Sequence, residues 1–392
     1  MHAQTDILII GAGPSGLCLA SALAKNGLNI TVLERQSLAN IAQPAFDGRE
    51  IALTHHSVQL LSDLGVWQHI PAQAISRLRD ARVFNGSSLL SLNIGHDLSN
   101  KSELGYLVAN HEIRLAAYTV AASHASISLQ TESQVQHIQQ DKKGVRVSLS
   151  NGDVISSQLL IAADSRFSET RRAMGIAADM HDFGKTMLVC VMAHTQDHEH
   201  TAWEWFDYGQ TLALLPMNGS QSSVVITLAP DEMAELMKLT DLEFNQVVTA
   251  RFKHRLGAMR LLSTRHTYPL VTAYAKRLVG PRFALVGDAA VGMHPVTAHG
   301  FNFGLSGIAC LASEITTALN SQQDIASDRL LLRYEQAHRR HTKPLFLATH
   351  AIAKLYASSS LPARLLRAGA IRIGNRISPF KRAVAGFLAD AR

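Results

Sequence analysis

Two kinds of hydrophobic pattern alternate along this chain. Asp6 to Ile10 is a short continuous apolar run, the mark of a strand covered on both faces. A Gly-rich turn and a helix through Lys25 follow, and Gly27 ends that helix. Leu28 to Leu33 predicts a second strand, closing on Glu34. Ser57, Leu60, Leu61 and Leu64 mark one amphipathic helix, and Asn110 opens another as its N-cap or as a ligand contact. Val135–Ile138 and Val145–Leu149 read as strands around the Lys143-Gly144 turn. Gln158 to Ala163 is again a buried strand, and it ends on Asp164. From Lys185 to Leu228 the texture changes to short runs separated by turns, including Asn218-Gly219, which predicts an antiparallel meander. Asp231 to Leu256 reads as helical, with Thr240 or Asp241 capping a second segment. Phe283 to Val286 predicts a buried strand, followed by an uncharged Gly-rich turn and a helix from about Phe303.

The pattern predicts an α/β protein with an inserted α+β region. A Rossmann-like, discontinuous dinucleotide-binding domain takes residues 1–75, 100–180 and 275–345. Residues 76–99 and 181–274 form a substrate-binding β-sheet domain, and 346–392 a helical tail.

The first strand runs directly into Gly11-Ala12-Gly13-Pro14-Ser15-Gly16. Gly11 permits a tight turn, Gly13 lets the backbone approach a pyrophosphate, and Gly16 lets helix and strand pack closely. Glu34, 18 residues after Gly16, is placed to accept a ribose hydroxyl, which disfavours a phosphorylated ribose and leaves FAD and NAD. Arg49, in a Gly turn, suits a phosphate or merely caps a helix. The distal stretch 282–304 has an acid, Asp288, at a strand mouth beside a helix N-terminus. Amides near Gly300, Phe301 and Asn302 can stabilise negative charge on a ligand ring. A capping acid on a plain strand–turn–helix is the simpler alternative. A single dinucleotide fingerprint plus a second ligand turn some 270 residues later suits FAD better than NAD, because its ribityl chain and ring need their own anchor.

Composition sharpens this. The 392 residues suffice for about two domains, and 47% hydrophobic with 17% charged residues excludes a disordered chain. Cys18, Cys190 and Cys310 are far apart, which suggests a reducing compartment without a disulfide framework or zinc site. His194, His198 and His200 have ligand-like spacing, but Asp197 and Glu199 between them suggest a solvated turn, so no metal is expected. The apolar runs 7–24 and 289–313 are interrupted by Gly, Pro, His or Asn, so neither a membrane span nor an export signal is expected. From Ser360 onward there are seven basic residues against one acid, Asp390, which equals the chain's whole net charge of +6. The body is near neutral, which argues against nucleic acid. The tail, with Leu365, Leu366, Ile371, Ile377 and Phe380 interleaved, reads as a packed lid or as an amphipathic element on an anionic membrane.

GAGPSG, Glu34, the segment around Asp164, and GDAAVGMHPVTAHGFN together resemble the single-component flavin aromatic hydroxylases (class A flavin monooxygenases). DGREIALT, DLGVW, GYLVAN, ALLPM and RFALVGDAA narrow the resemblance to the ubiquinone-biosynthesis hydroxylases, and within them to the UbiM-like branch. The resemblance implies that Gly11, Ala12, Gly13 and Gly16 hold the FAD pyrophosphate, with Glu34 and Arg35 at the adenosine ribose. It assigns Arg49 and Asn110 to the diphosphate region, Val135 to the adenine by backbone, and Asp288 to the ribityl chain. Gly300, Phe301 and Asn302 would meet the flavin ring. It further implies NAD(P)H as electron donor, O2 activation as a C4a-hydroperoxide, and hydroxylation of a polyprenylated phenol or quinol. Other proteins of that pathway become candidate partners, and the location becomes the cytoplasmic face of the inner membrane. His299 and His294, flanking Pro295 beside the ring, are the candidate catalytic groups. Trp205, Leu215, Pro216 and Pro295 are the candidate substrate contacts.

The chain departs from the family pattern at three places. Ala163-Asp164-Ser165 replaces an A-D-G triplet and bears on nicotinamide handling. Val291 stands where His is usual, and Ala298-His299-Gly300 where G-Q-G is common, both bearing on substrate choice near the ring. Two alternatives stay open: a flavin reductase or dehydrogenase acting on an isoprenoid lipid, and a non-catalytic flavoprotein subunit of a membrane assembly. Trp203-Glu204-Trp205 suggests a flavin halogenase, but the Ile-Pro expected after it is absent.

Overall fold

The computed structural model describes residues 2–86, 91–99, 101–207, 209–297, 299–357, 369, 381–382 and 384–386. β1 (His2–Ile10), α1 (Pro14–Ala24) and β2 (Ile30–Leu33) form the expected strand–helix–strand unit. β1 begins four residues before the predicted start, because pairing of His2 to Ile10 with a distant strand draws polar residues into the ladder. Pro14 occupies the first helical position, where its missing N–H costs no bond. Next come α2 (Leu38–Ala42), β3 (Glu50–Leu53), α3 (His55–Asp63), β4 (Ile75–Leu78), β5 (Asp80–Asn85), β6 (Ser91–Ile94) and β7 (Gly105–Ala109). Then follow α4 (Asn110–Ala122), β8 (Ile127–Gln130), β9 (Val135–Gln140), β10 (Val145–Leu149), β11 (Val154–Ala162) and α5 (Glu169–Ala173). The meander is β12 (Ala178–His194), β13 (Thr201–Asp207), β14 (Gln210–Met217) and β15 (Gln221–Leu228). After it come α6 (Pro230–Lys238), α7 (Asp241–Arg251), β16 (Met259–Leu261) and β17 (His266–Ala275). The chain closes with β18 (Val279–Gly280), β19 (Phe283–Leu285), β20 (Val291–Gly292), α8 (Gly300–Asn320) and α9 (Asp328–Ala357).

The first sheet runs β18-β19-β11-β1-β2-β8, with β10 and β9 branching from β11. β19, β11, β1, β2 and β8 are parallel, so their carboxyl ends share one edge. α1, packed between α4 and α8, buries Leu17, Leu19 and Leu23. The second sheet runs β20-β17-β12-β15-β14-β13-β5-β6, with β16 on β12. One of its faces is closed by α6 and α7, whose Met233, Leu236 and Phe244, with Phe252 capping α7, meet Leu188, Leu212, Val224 and Trp205. β3, β7 and β4 form a small third sheet.

Several expectations need correcting. α8 starts at Gly300, not near Phe303, so Gly300, Phe301 and Asn302 are its first turn. Asn110 is not an N-cap: Ala109 holds that position, and the Asn110 side chain is engaged elsewhere. β3 intervenes between Arg49 and the helix that was expected to follow it. The helical stretch after Asp231 splits at Thr240, whose hydroxyl and Glu243 make a capping box, and it ends at Arg251. The basic stretch 361–388 lies almost wholly outside the described residues; Ala385 packs with Ile94 and Leu104. Among the described residues, no helix is long and apolar enough to cross a membrane.

A Cβ on Gly16 would lie 1.9 Å from the Gly11 carbonyl oxygen. Gly16→Ala therefore forces the turn away from α1, and it should lower the unfolding free energy by about 1–3 kcal/mol. Urea denaturation reads this directly; an unchanged midpoint would mean that the turn yields freely.

Candidate functional site

Three strand ends converge. The Ile10 carbonyl accepts from Ala163 N at 2.8 Å, and the Ala162 carbonyl from Val286 N at 3.0 Å. The turns that leave β1, β11 and β19 therefore touch, bringing Gly11, Asp164 and Asp288 onto one rim, where open parallel sheets bind ligands. A cavity of about 1630 Å³ opens there and reaches without interruption from Glu34 to the face of the second sheet. That exceeds the usual range for one small ligand and leaves room for a dinucleotide and a second molecule.

At the nucleotide end, Gly11 has φ 109°, and a Cβ on it would meet the Ala163 carbonyl at 2.6 Å. A Cβ on Gly13 would meet nothing within 4 Å, so this turn presents bare backbone to the cavity. Glu34 accepts from Ala12 N at 2.9 Å and from Gln36 N at 3.0 Å, tying the turn to the end of β2. Its carboxylate keeps lone pairs for a hydroxyl. Arg35 and Val135 line the same end. Arg49 does not stand alone: Asp47 Oδ2 accepts from its Nη2 at 2.5 Å and from Asn110 Nδ2 at 2.8 Å. Tyr268 donates to the Asp47 carbonyl at 2.7 Å. Beside them Glu50 has a buried Oε1 without a partner among the described residues. Burial, with Asp47 and Glu112 nearby, raises that carboxyl from an ordinary 4.5 to about 8.

At the middle of the cavity, Asp288 Oδ2 accepts from Arg166 Nη2 at 2.7 Å and Nε at 3.2 Å. Arg166 is held in turn by the Val271 carbonyl at 2.7 Å. Gly300 and Phe301, in the first turn of α8, line the cavity. The Asn302 side chain turns away from it and staples α8 to the end of β3, accepting from Thr54 N at 3.2 Å and donating to the Ala52 carbonyl at 2.9 Å. His299 is the N-cap of α8, 5% exposed, with its ring against Phe303; it is not part of the cavity wall. His294 and Pro295 do line the wall. Burial, then His350 and Arg166, lower the His294 imidazole to about 4. Val291, expected near the ring, is buried in β20 opposite Tyr274, because strand pairing turns it into the core. Ser165 has no positive φ, so its backbone does not call for glycine.

At the far end the alternation of the second sheet sorts its residues. Met187, Glu204, Phe206, Ala213, Leu215 and Val225 face the cavity. Trp205 and Pro216, expected as substrate contacts, have the opposite parity. Trp205 packs under α7, donating its Nε1–H to the Gly86 carbonyl at 2.9 Å. Pro216 is aligned with Ser222. The His194–His200 turn is exposed at Asp197 and Glu199, as expected, but His194 and His198 are buried beneath it, and their ring nitrogens bond to Gln196, Ser222 and Met217.

Sequence reasoning missed Arg166, Asp47, Glu50 and Glu204. A local signal exists for two of them. Asp47-Gly48-Arg49 is a turn that brings an acid back to a base two residues on. Glu204 lies between two tryptophans, so in an alternating strand it must face away from them. Nothing local marks Arg166, whose partner is 122 residues away.

The family model described as "FAD binding domain" matches residues 4–347. Over 388 residues the chain is 45% identical to the ubiquinone hydroxylase UbiM of Neisseria meningitidis, covering 98% of this chain and 84% of that protein. It is 32% identical over 377 residues to the ubiquinone hydroxylase UbiL of Rhodospirillum rubrum, covering 96% and 87%. Among solved structures, p-nitrophenol 4-monooxygenase PnpA of Pseudomonas putida superposes with a TM-score of 0.80 at 17% identity, covering 100% of this chain and 99% of that one, a likeness of fold.

Two outcomes follow from the geometry. Asn302→Ala leaves Thr54 N and the Ala52 carbonyl without their partner, at a cost of about 1–3 kcal/mol, seen as a lower melting temperature. Folded Glu50 keeps its proton to about pH 8 and the unfolded chain releases it near 4.5. The stability it contributes is therefore complete below the lower value and is lost as pH rises through the upper one. Glu50→Gln should lose less stability than the parent between about pH 5 and pH 8; parallel stability–pH curves would refute this.

Proposed function

The chain belongs to the FAD-binding-domain family, and from that premise we propose that it is an FAD-dependent monooxygenase hydroxylating the ring of a polyprenylated phenol or quinol in ubiquinone biosynthesis. The observation that carries the reading is one cavity joining a dinucleotide turn to an apolar sheet face, in a chain 45% identical to a ubiquinone hydroxylase over nearly its full length.

The residues present fit FAD. Gly13 leaves open space where a side chain would be, and Gly11 holds the strained turn that a pyrophosphate needs. Gly11, Ala12, Gly13 and Gly16 would cradle the pyrophosphate, with Arg49 and Asn110 alongside and Glu34 and Arg35 at the ribose. Val135 would meet the adenine, Asp288 the ribityl chain, and the first turn of α8 the ring. Bound FAD, reduced by NAD(P)H, supplies the chemistry that places one oxygen atom of O2 on an aromatic carbon.

The chain's own groups do the rest. The positive end of α8 stabilises negative charge at the ring. The apolar sheet face excludes water from the reacting end. His294 is neutral at pH 7, and its Nδ1 accepts from Val296 N at 3.2 Å, so Nε2 carries the hydrogen. It can hold or pass a proton at the cavity wall. His299 would act on the helix start and not on the substrate. The seven basic residues after Ser360 would draw the protein to an anionic inner-membrane surface, where a polyprenylated substrate resides.

Asp288→Ala should weaken FAD retention about tenfold or more, as the loss of a charged hydrogen-bond acceptor implies; undiminished yellow colour after dialysis would contradict its role. The purified holoprotein, reduced and then given O2 and a prenylated phenol, should yield the hydroxylated phenol. A return of hydrogen peroxide alone, with the phenol unmodified, would overturn the reading.

A further inference from the structure

The cavity face of the second sheet is largely apolar: Thr211, Ser223 and Thr227 add hydroxyls, Lys185, Asp207 and Gln210 add further polar groups, and Glu204 sets a carboxyl in the middle of a strand. The register aligns Val83 of β5, Glu204 of β13, Ala213 of β14, Val225 of β15 and Val189 of β12 in a single row across five strands. Every neighbour of Glu204 in that row is a hydrocarbon. Phe206, two residues along β13, adds a ring on the same side. Among the described residues no hydrogen bond or ion pair reaches the Glu204 carboxyl, although other half-buried acids of this chain, Asp47 and Asp80, are held by several donors. What area Glu204 exposes opens onto the cavity it lines.

Burial raises Glu204 from 4.5 to about 8 and is the sole cause of that shift. The charged or titratable groups around it are Arg82 on β5, Asp207 at the end of β13 itself, Lys185 on β12, His266 at the far end of the row, and His294 and Arg166 on the cavity wall; burial, not any of these, is the cause of the shift. At neutral pH the group is a carboxylic acid with one donor and one acceptor. A polar group left without partners in an apolar wall costs free energy, and replacing it with a hydrocarbon of similar volume costs the fold nothing. Such a group serves a ligand, since its hydrogen-bonding capacity is spent only when one arrives.

We propose that Glu204 is the polar anchor for a ring oxygen of the substrate, hydrogen-bonding the phenol or quinol hydroxyl and so deciding which ring carbon is presented to the reacting end of the cavity. This rests on the monooxygenase reading and adds to it the group that orients the ring. The acid donates to the ring oxygen while its carbonyl accepts the ring hydroxyl's hydrogen. The flanking Val83, Ala213 and Val225 receive the ring edge and leave the prenyl chain to the apolar wall beyond. Above about pH 8 the carboxyl ionises, the donor is lost, and a charge faces the ring, so binding of a neutral phenol weakens.

The test uses the full-length FAD-loaded protein with a geranyl-substituted phenol, in wild type, Glu204→Gln and Glu204→Leu. Binding is read from the perturbation of the flavin's visible absorbance. Product per flavin is read in single turnover after anaerobic reduction and admission of O2. Glu204→Leu should keep its FAD and melt no lower than wild type, yet bind the phenol about tenfold more weakly and release more hydrogen peroxide. Glu204→Gln, which keeps a donor and an acceptor, should bind near normally at pH 7. The weakening of wild-type binding from pH 7 to pH 9 should vanish in Glu204→Gln. If wild type turns over the phenol and Glu204→Leu matches it in affinity, coupling and pH profile, the inference fails and the monooxygenase reading stands. A lower melting temperature with unchanged affinity in Glu204→Leu would likewise overturn it, marking a structural residue. If wild type neither binds nor converts the phenol, both fail together.

Discussion

Everything at this site depends on the register of three parallel strands. β1, β11 and β19 are aligned so that Ile10, Ala162 and Leu285 end on one edge of the first sheet. The turns that follow come from segments some 150 and 270 residues apart in sequence, yet their backbones pack against each other. Contact that close tolerates no side chains. Gly11 lies against Ala163, Gly16 against Gly11, and Gly287 against Ser15. The glycines thus serve the packing of the protein on itself as much as the approach of a ligand, and both demands select the same residues.

The distal turn is tethered on two sides. β19 enters it from the first sheet, and β20, three residues after Asp288, joins the second sheet by pairing with β17. Asp288 therefore sits at the hinge line between the two sheets, held by Arg166. A third tether, the Asn302 side chain, ties the start of α8 to β3. A ligand that spans this region meets a surface whose parts are fixed to each other by strand pairing and side-chain bonds, and little ordering is left for binding to impose.

The two buried acids of the cavity, Glu50 and Glu204, run against the interests of the fold. Both are pushed up by burial, and among the described residues neither the Glu50 Oε1 nor the Glu204 carboxyl has a hydrogen-bond partner that would compensate it. The second sheet bears this because its other face, packed under α6 and α7 with Trp205, Phe244 and Phe252, holds a dense apolar cluster that supplies the stabilisation. One sheet therefore has a face that holds the domain together and a face left free for chemistry.

The sequence alone determined the N-terminal strand–helix–strand unit, the meander, and the strand–turn–helix around Asp288. Their signals are local: apolar runs of the right length, glycines at fixed offsets, turn residues between strands. It also carried the resemblance to flavin hydroxylases, because motif order and spacing survive in the linear chain. It did not determine which side chains face the cavity. Residue type marks Trp205 as a contact and the ALLPM segment marks Pro216, whereas sheet parity sends both to the opposite face. The family pattern puts Val291 near the ring, where His is usual, but pairing with β17 turns it into the core. Arg166 reaches Asp288 only because β11 and β19 are neighbours, and Glu204 finds no partner among the described residues because four other strands align hydrocarbons beside it. Such facts belong to pairing between distant segments, and no local pattern encodes them.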